Sequence, residues 1–494
     1  MIWIYIFLAS LTAWYVRPIL PIDETRYLSV AYEMFIDKEW VVPKLNGEIY
    51  SQKPPLLFWL IQSGWSIFGV NIWWPRILGL IALLMNGYVI KKISNILFPN
   101  KSHISKTSFL IYTTSFFPLI FSTLIFFDLW LSLWVSCAWL FILKRGNNQK
   151  KVINLIAFGF FLALSFLTKG PVALIFILPP LCFRKLYSAE PLCFWVIQGT
   201  AIAILLSLVW FIPASISASE TFNINLLWEQ IVNRISSAQN EVDGATTHSR
   251  PFWYFLVLLP LLFLPWTFCS KMWSRKHHPF LLSITIPTII IFSSISGKQP
   301  HYLLPLFPFF SLALSSRINN WRTLNSNAPR LTLVAFSTAL IVFSVYADPP
   351  PNFLDKSWVI SSAAATILIA YLWRSPTIWF ATAPILCITV HIALGPKFKN
   401  TYDMAPLANI ASTWEKNGFA IAYSGAYHGQ LQFIGKLENP IHEIQSKNEL
   451  KDFYNKYPNG KLIKISKKEN LSGKVNALPH GTRWAEIYEE ARAE

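Results

Sequence analysis

Residues 2–27 read IWIYIFLASLTAWYVRPILPIDETRY, and this stretch decides how the rest of the 494-residue chain is read. The first fifteen residues carry no charge. Such a run is stable as a helix in lipid, where each backbone N–H and C=O must be satisfied within its own segment. No small-residue cleavage site follows it, so the run is expected to stay as the first membrane anchor. Arg17, two prolines and then Asp23, Glu24, Arg26 and Tyr27 follow at once. These residues make the first external loop the most polar part of the membrane half.

The composition extends this reading to the whole chain. Hydrophobic residues make up 53%, aromatics 16% and charged residues 14%, where soluble domains carry about 25% charged residues. Mean hydropathy is +0.41. Spans of about 20 apolar residues are expected near 2–16, 72–90, 107–125, 129–143, 152–168, 172–183, 193–212, 252–270, 280–296, 302–316, 331–347, 358–373 and 377–395. That is thirteen, several of them short. Residues 54–70, which open with Pro-Pro and contain two glycines, are expected as a helix lying on the bilayer surface.

The net charge of +17 follows from topology. Segments 91–106, 144–151, 271–279 and 317–330 contain Lys and Arg without Asp or Glu. They fall on alternate connections and are expected in the cytoplasm, which places the N-terminus inside and excludes nucleic-acid binding as the reason for the charge. Loops 17–71 and 213–251 and the tail face the other side. The tail differs in kind, with 25 of the last 99 residues charged against 42 of the preceding 395. FAIAYSGAY and KLIKIS read as strands, ENLSGKV as a turn and the closing WAEIYEEARAE as a helix. The expected architecture is an all-α polytopic membrane protein, residues 1–396, followed by a small C-terminal α/β domain, residues 397–494, outside the membrane. The five cysteines lie in or beside apolar runs without a CxxC pair, so no disulfide framework is expected.

Against this background the external charges stand out. Asp23, Arg26 and Tyr27 share a helix face by i, i+3 and i, i+4 spacing; a first-turn capping role is the alternative for Asp23 and Glu24. Between Tyr50 and Ser219 the acidic residues are Asp128, at an external turn, and Glu190, in a cytoplasmic loop. Lys53, Lys169 and Lys298 map to external helix ends, where the positive-inside bias disfavours them. Snorkelling explains each alone, but three of them with Arg26 suit a phosphate held at the membrane surface. His301 and Tyr302 lie beside Lys298, and His248 borders the second large loop. Among ATP-binding, HExxH and GxSxG signatures none is present, which leaves ATP-driven transport and soluble hydrolase chemistry unsupported.

DETRY (23–27), QKPPLLFWL (52–60), TKG (168–170), HSRPFWYFLVLLPLLFLPW (248–266) and GKQPHYLLP (297–305) together resemble the GT-C class of polyprenyl-phosphate-sugar-dependent glycosyltransferases. The branch they resemble holds the lipid A aminoarabinose transferase and bacterial relatives of protein O-mannosyltransferases. The resemblance covers about residues 1–396 and matches the tail by position only. It implies an inverting sugar transfer at the periplasmic face of the bacterial inner membrane, from undecaprenyl (polyprenyl) phosphate. The acceptor is expected to be lipid A or a related envelope glycolipid, with protein or another glycan as runner-up. Asp23 is implied as the essential acid, with Glu24 beside it, and Asp128 as the second acid. Arg26, Lys53, Lys169 and Lys298 would hold the donor phosphate, and Tyr27, His301, Tyr302 and His248 would line the substrate site. In that branch a glutamate before the loop lysine joins a loop histidine in a metal site. Gln52 stands there in this chain, so no metal ligands are assigned and a divalent metal is disfavoured. A lipid-linked-substrate flippase is the alternative of a different class, but it should place charge near the midplane, often at paired broken helices.

Overall fold

The computed structural model describes residues 2–146, 151–186, 193–218, 250–273, 278–295, 297–346, 356–466, 476–480 and 483–488. The first apolar run is a helix, Ile2–Val16, and the chain turns through Arg17–Ile22 into a second helix, Asp23–Ile36. Each of the thirteen expected spans coincides with helical structure, but unequally. Among the described residues five helical stretches are long and apolar enough to cross a membrane: Trp73–Leu97, Lys151–Cys182, Cys193–Ser217, Asn327–Ser344 and Ile378–Lys416. Large apolar side chains such as Val152, Phe194, Val209 and Leu331 stay exposed on these helices. Such faces are suited to lipid rather than water.

Several expected spans are broken. The segment 107–125 divides into helices Ser102–Thr113 and Phe116–Phe121. Thr114 Oγ1 and Ser115 Oγ donate to the carbonyls of Leu110 and Ile111, each at 2.6 Å, and the freed Phe116 N–H donates to Leu264 O at 3.0 Å. Side-chain hydroxyls that bond back to the preceding turn are a known cause of such breaks. Proline shortens others. The helix Leu174–Cys182 contains Pro179 and Pro180, and Pro300–Leu306 is a 3-10 stretch preceding the helix Phe307–Ser315.

The first loop is ordered around a hairpin, β1 (Lys44–Leu45) and β2 (Glu48–Ile49), turned by Asn46 and Gly47 at positive φ. An Asn-Gly pair suits this tight antiparallel turn. Glu33 accepts from the N–H groups of Asn46 (2.6 Å) and Gly47 (3.0 Å), fixing the hairpin to the second helix. Within 54–70 a helix forms at Leu56–Phe68 and packs Phe58, Ile61 and Trp65 into the main core.

The helix Ile378–Tyr402 runs past the expected domain boundary at 396, and a further helix, Ala405–Lys416, leads into the tail. There β3 (Ile421–Ser424), β4 (His442–Ile444), β5 (Lys461–Ser466), β6 (Asn476–His480) and β7 (Arg483–Tyr488) form one sheet in the order β4-β3-β5-β7-β6. β4, β3 and β5 are parallel; β7 and β6 are antiparallel. The helix expected from Trp484 onward is thus corrected over residues 484–488, while 489–494 lie outside the described residues. Trp484–Tyr488 is strand, although Ala and Glu favour helix in isolation. Pairing on both edges and burial of Ala485 and Ile487 in the tail core override that local preference. The expected turn at 469–475 lies outside the described residues.

The tail is welded to the first loop. Ser29 Oγ donates to Gly429 O at 2.6 Å. Asn46 bonds the tail three times, donating to Ile441 O (2.9 Å) and accepting from Ile441 N (2.8 Å) and Gln432 Nε2 (2.7 Å). Phe433 stacks on Trp65 with centroids 5.3 Å apart, which carries the membrane-half core into the tail.

Candidate active site

The two carboxylates after the first helix part company. Glu24 is buried and fully engaged. It forms a two-pronged ion pair with Arg17, and accepts from Leu20 N at 2.9 Å and Ile125 N at 3.0 Å. Arg17 in turn donates to Thr123 O at 2.8 Å and Arg76 donates to the carbonyls of Trp14 and Arg17. Paired and hydrogen-bonded burial of this kind lets an ion survive in a low-dielectric interior. The geometry therefore gives Glu24 a framework part, clamping the turn 17–25 to residues 123–125, in place of the catalytic one expected. Arg17 and Arg76 were not singled out from sequence. Arg76 had a signal, a guanidinium inside an expected span.

Asp23 faces the opposite way. Its carboxylate remains 40% exposed and pairs with Arg26 at 2.5 Å, as the i, i+3 spacing requires. Arg26 is mostly buried, and its Nε is buried without a hydrogen-bond partner. A buried guanidinium donor left over is a point at which an anion can bind. Tyr27 is buried edge-on to Phe127, 4.9 Å between centroids. It lies within electrostatic reach of both Asp23 and Asp128.

Asp128 and Lys169 form a second pair, 2.6 Å apart with side chains 4% and 7% exposed. Asp128 opens the helix Asp128–Leu143, where a carboxylate is favoured by the unpaired N–H groups. Lys169 closes the helix Lys151–Lys169. Its ammonium lies 5.0 Å from the centroid of Tyr302, and His301 and Lys53 both act on Asp128. Lys53 also donates to Gln52 O at 3.0 Å. The fold thus assembles Asp23, Arg26, Tyr27, Lys53, Asp128, Lys169, His301 and Tyr302 from five separate stretches of chain.

Lys298 does not join them in the same manner. Its ammonium donates to Arg250 O at 2.7 Å and Ile295 O at 2.5 Å, so it ties the segment after Ser294 back to the residues that precede the helix Tyr254–Leu262. His248 lies outside the described residues. Among the described residues no group of three His, Cys, Asp or Glu side chains could hold a metal ion, and Gln52 supplies no carboxylate.

A cavity of about 540 Å³ opens beside the Asp128–Lys169 pair. Apart from that pair its walls are largely apolar, with Leu131, Ile175, Phe176 and Phe292 among them. A charged pair in an otherwise apolar lining is the complement of a phosphate carried on a hydrocarbon chain.

No protein-family profile matches the chain. An undecaprenyl phosphate-alpha-4-amino-4-deoxy-L-arabinose arabinosyl transferase of Photorhabdus laumondii is 28% identical over 298 residues, 57% of this chain and 52% of that one. One from Pseudomonas aeruginosa is 27% identical over 404 residues, 76% of this chain and 71% of that one. The aligned part thus spans between about half and three quarters of these curated relatives. The crystal structure of ArnT from Cupriavidus metallidurans bound to undecaprenyl phosphate superposes with a TM-score of 0.74 at 16% identity, covering 99% of this chain and 98% of that one. An Archaeoglobus fulgidus oligosaccharyltransferase superposes at 0.50 and 11% identity, covering 96% and 70%. The fold is that of the ArnT crystal structure. Sequence relatives and structural match lead to the same group, so the chain is similar to ArnT.

Proposed function

We propose that the chain is an inverting membrane glycosyltransferase that moves a sugar from undecaprenyl phosphate to lipid A or a related envelope glycolipid. In this reading it lies in the bacterial inner membrane with thirteen spans, a cytoplasmic N-terminus and a periplasmic C-terminal domain. The observation that carries the proposal is the apolar cavity ending at Asp128–Lys169, with Arg26 and Asp23 nearby through Tyr27. The names of the relatives and the undecaprenyl phosphate in the superposed ArnT structure support it. The gathering of charge at helix ends favours an enzyme over a flippase.

The chemistry follows from the charges. Breaking the anomeric C–O bond leaves a second negative charge on the departing polyprenyl phosphate. Lys169 and Lys53 would meet that charge from one side and Arg26 Nε from the other. Donors already fixed in a water-poor site stabilise a developing charge without having to reorganise. Asp23 and Asp128 pre-neutralise Arg26 and Lys169, and Lys53 acts on Asp128 as well. Asp23, the exposed carboxylate, then meets the acceptor. Toward a hydroxyl it acts as general base. Toward a phosphate, whose second pKa is near 6, the acceptor is already anionic and Asp23 orients it.

The test is mass spectrometry of lipid A from cells with and without the gene, beside an Asp23→Asn control. A mass increment that disappears in the variant supports the proposal. Lipid A unchanged in all three strains would move the acceptor to protein or another glycan, and an active Asp23→Asn variant would remove Asp23 from the mechanism.

A further inference from the structure

A second set of openings lies between the first loop and the tail. An inner chamber of about 570 Å³ is lined by Arg26, Glu48, Tyr50, Gln52 and Glu443, among others. An outer chamber of about 820 Å³ reaches from Pro21 and Ile22 to His480 and Arg483. Ala426, His428 and Gln445 line both, so the two chambers form one polar cleft. It runs from the partner of Asp23 outward across the tail.

The outer chamber sits where β3, β4 and β5 end. Ser424, Ile444 and Ile465 are at or near the carboxyl ends of these three parallel strands and line it. Open sheets bind ligands at such ends, where strand order changes direction, and here β4 and β5 lie on opposite sides of β3. The loop after β3 holds Gly425, His428 and Gly429 at positive φ, which keeps backbone close to the chamber without a wall of side chains. His480 Nε2 lies 3.0 Å from Tyr423 Oη and 2.6 Å from Gln430 Oε1, so imidazole, phenol and amide are held in fixed positions. Arg483 stands close enough to act on both His480 and Tyr423. Among the described residues no carboxylate lines this chamber. The carboxylates Glu48 and Glu443 belong to the inner one.

Hydroxyl, amide and imidazole groups beside tyrosine rings match the hydroxyls and apolar faces of a sugar. A guanidinium without a competing carboxylate matches a phosphate. From this cleft we infer that the tail recognises the acceptor, its outer chamber holding a phosphorylated sugar headgroup so that the headgroup points along the cleft to Asp23. The inference rests on the proposed glycosyl transfer. It assigns to the acceptor the polar cleft that begins at Arg26, and leaves the apolar cavity beside Asp128 and Lys169 to the polyprenyl donor.

The test uses the full-length chain in nanodiscs and two titrations that need no turnover. One ligand is the deacylated, bis-phosphorylated glucosamine disaccharide of lipid A; the other is undecaprenyl phosphate. Arg483→Ala, at an exposed position, should weaken disaccharide binding about tenfold, the loss of one charge-assisted contact. It should leave undecaprenyl phosphate binding unchanged. His480→Gln should weaken the disaccharide as well, and removal of the phosphates from the disaccharide should abolish the difference between wild type and Arg483→Ala. Equal disaccharide binding by wild type and Arg483→Ala overturns the inference. So does the absence of disaccharide binding by the wild type, or weakened undecaprenyl phosphate binding in Arg483→Ala. Failure of the transfer proposal reads differently: the wild type binds both ligands as expected and forms no sugar–lipid A product.

Discussion

Asp23 and Glu24 are joined by one peptide bond and lie in different physical worlds. Glu24 is buried beneath the turn with a bidentate arginine and two backbone N–H groups on its oxygens. Asp23 points the other way with a single short contact to Arg26 and 40% of its side chain exposed. A helix start rotates successive residues by about 100°, so one carboxylate is turned into the protein and its neighbour stays partly exposed. The lesson is that identical chemistry becomes scaffold or reactive group according to how many of its lone pairs the fold consumes.

The sharpest way to break this comparison is to remove the two charges separately. Asp23→Asn should lower transfer by about 10²- to 10⁴-fold, the range for a lost acid–base group. Its unfolding midpoint in detergent should stay at the wild-type value. Glu24→Gln should do the reverse. Leaving Arg17 buried with an uncompensated charge should cost about 3–5 kcal/mol, read as a lower unfolding midpoint and poor expression. If Asp23→Asn unfolds and Glu24→Gln is stable but inactive, the two assignments are interchanged.

The buried Asp128–Lys169 pair lies between these extremes. Lys169→Met should destabilise the fold, because Asp128 then lacks its cation. The double variant Asp128→Asn/Lys169→Met should recover much of that stability without recovering transfer. A double variant that transfers normally would make the pair a strut like Arg17–Glu24. A smaller effect is expected at Lys53, where Lys53→Ala should weaken undecaprenyl phosphate binding about tenfold, one charge-assisted contact, with little change in stability. Unchanged affinity would leave Lys53 a snorkelling side chain.

The smallest effect is a pH dependence confined to the tail. Burial holds the His480 imidazole below its ordinary range, with Arg483 acting in the same direction. The unfolded chain then binds the proton more readily than the folded one. Stability is fully present above the ordinary histidine pKa and declines as pH falls from there toward the depressed folded value. The unfolding midpoint should therefore drop more between pH 7 and pH 5 in the wild type than in His480→Gln. Parallel curves would show that His480 is not the group responsible.

Much of the membrane half was legible in advance because lipid imposes a simple rule. An uncharged run must satisfy its own backbone and becomes helix, and the starts of the helices at Trp73, Asp128, Lys151 and Cys193 lie close to those expected. Breaks were less legible. The one after Thr113 depends on two hydroxyls and a carbonyl 150 residues away, and local composition does not encode it. The tail misled at its end for a related reason: Trp484–Tyr488 has helical composition, but its neighbours β5 and β6 impose pairing on both edges.

The sequence by itself determined that this is a chain of membrane helices with a charged tail, that DETRY stands at the end of the first helix, and that Asp128, Lys53 and Lys169 are costly enough to matter. These follow from the free energy of placing each residue in lipid, which is local. Tertiary structure alone decided that Glu24 is a clamp, that Lys169 is the partner of Asp128, that Lys298 is tied to backbone, and that the tail closes a polar cleft over Arg26. Those outcomes depend on which distant groups reach each charge first, and a buried charge takes its role from its partners.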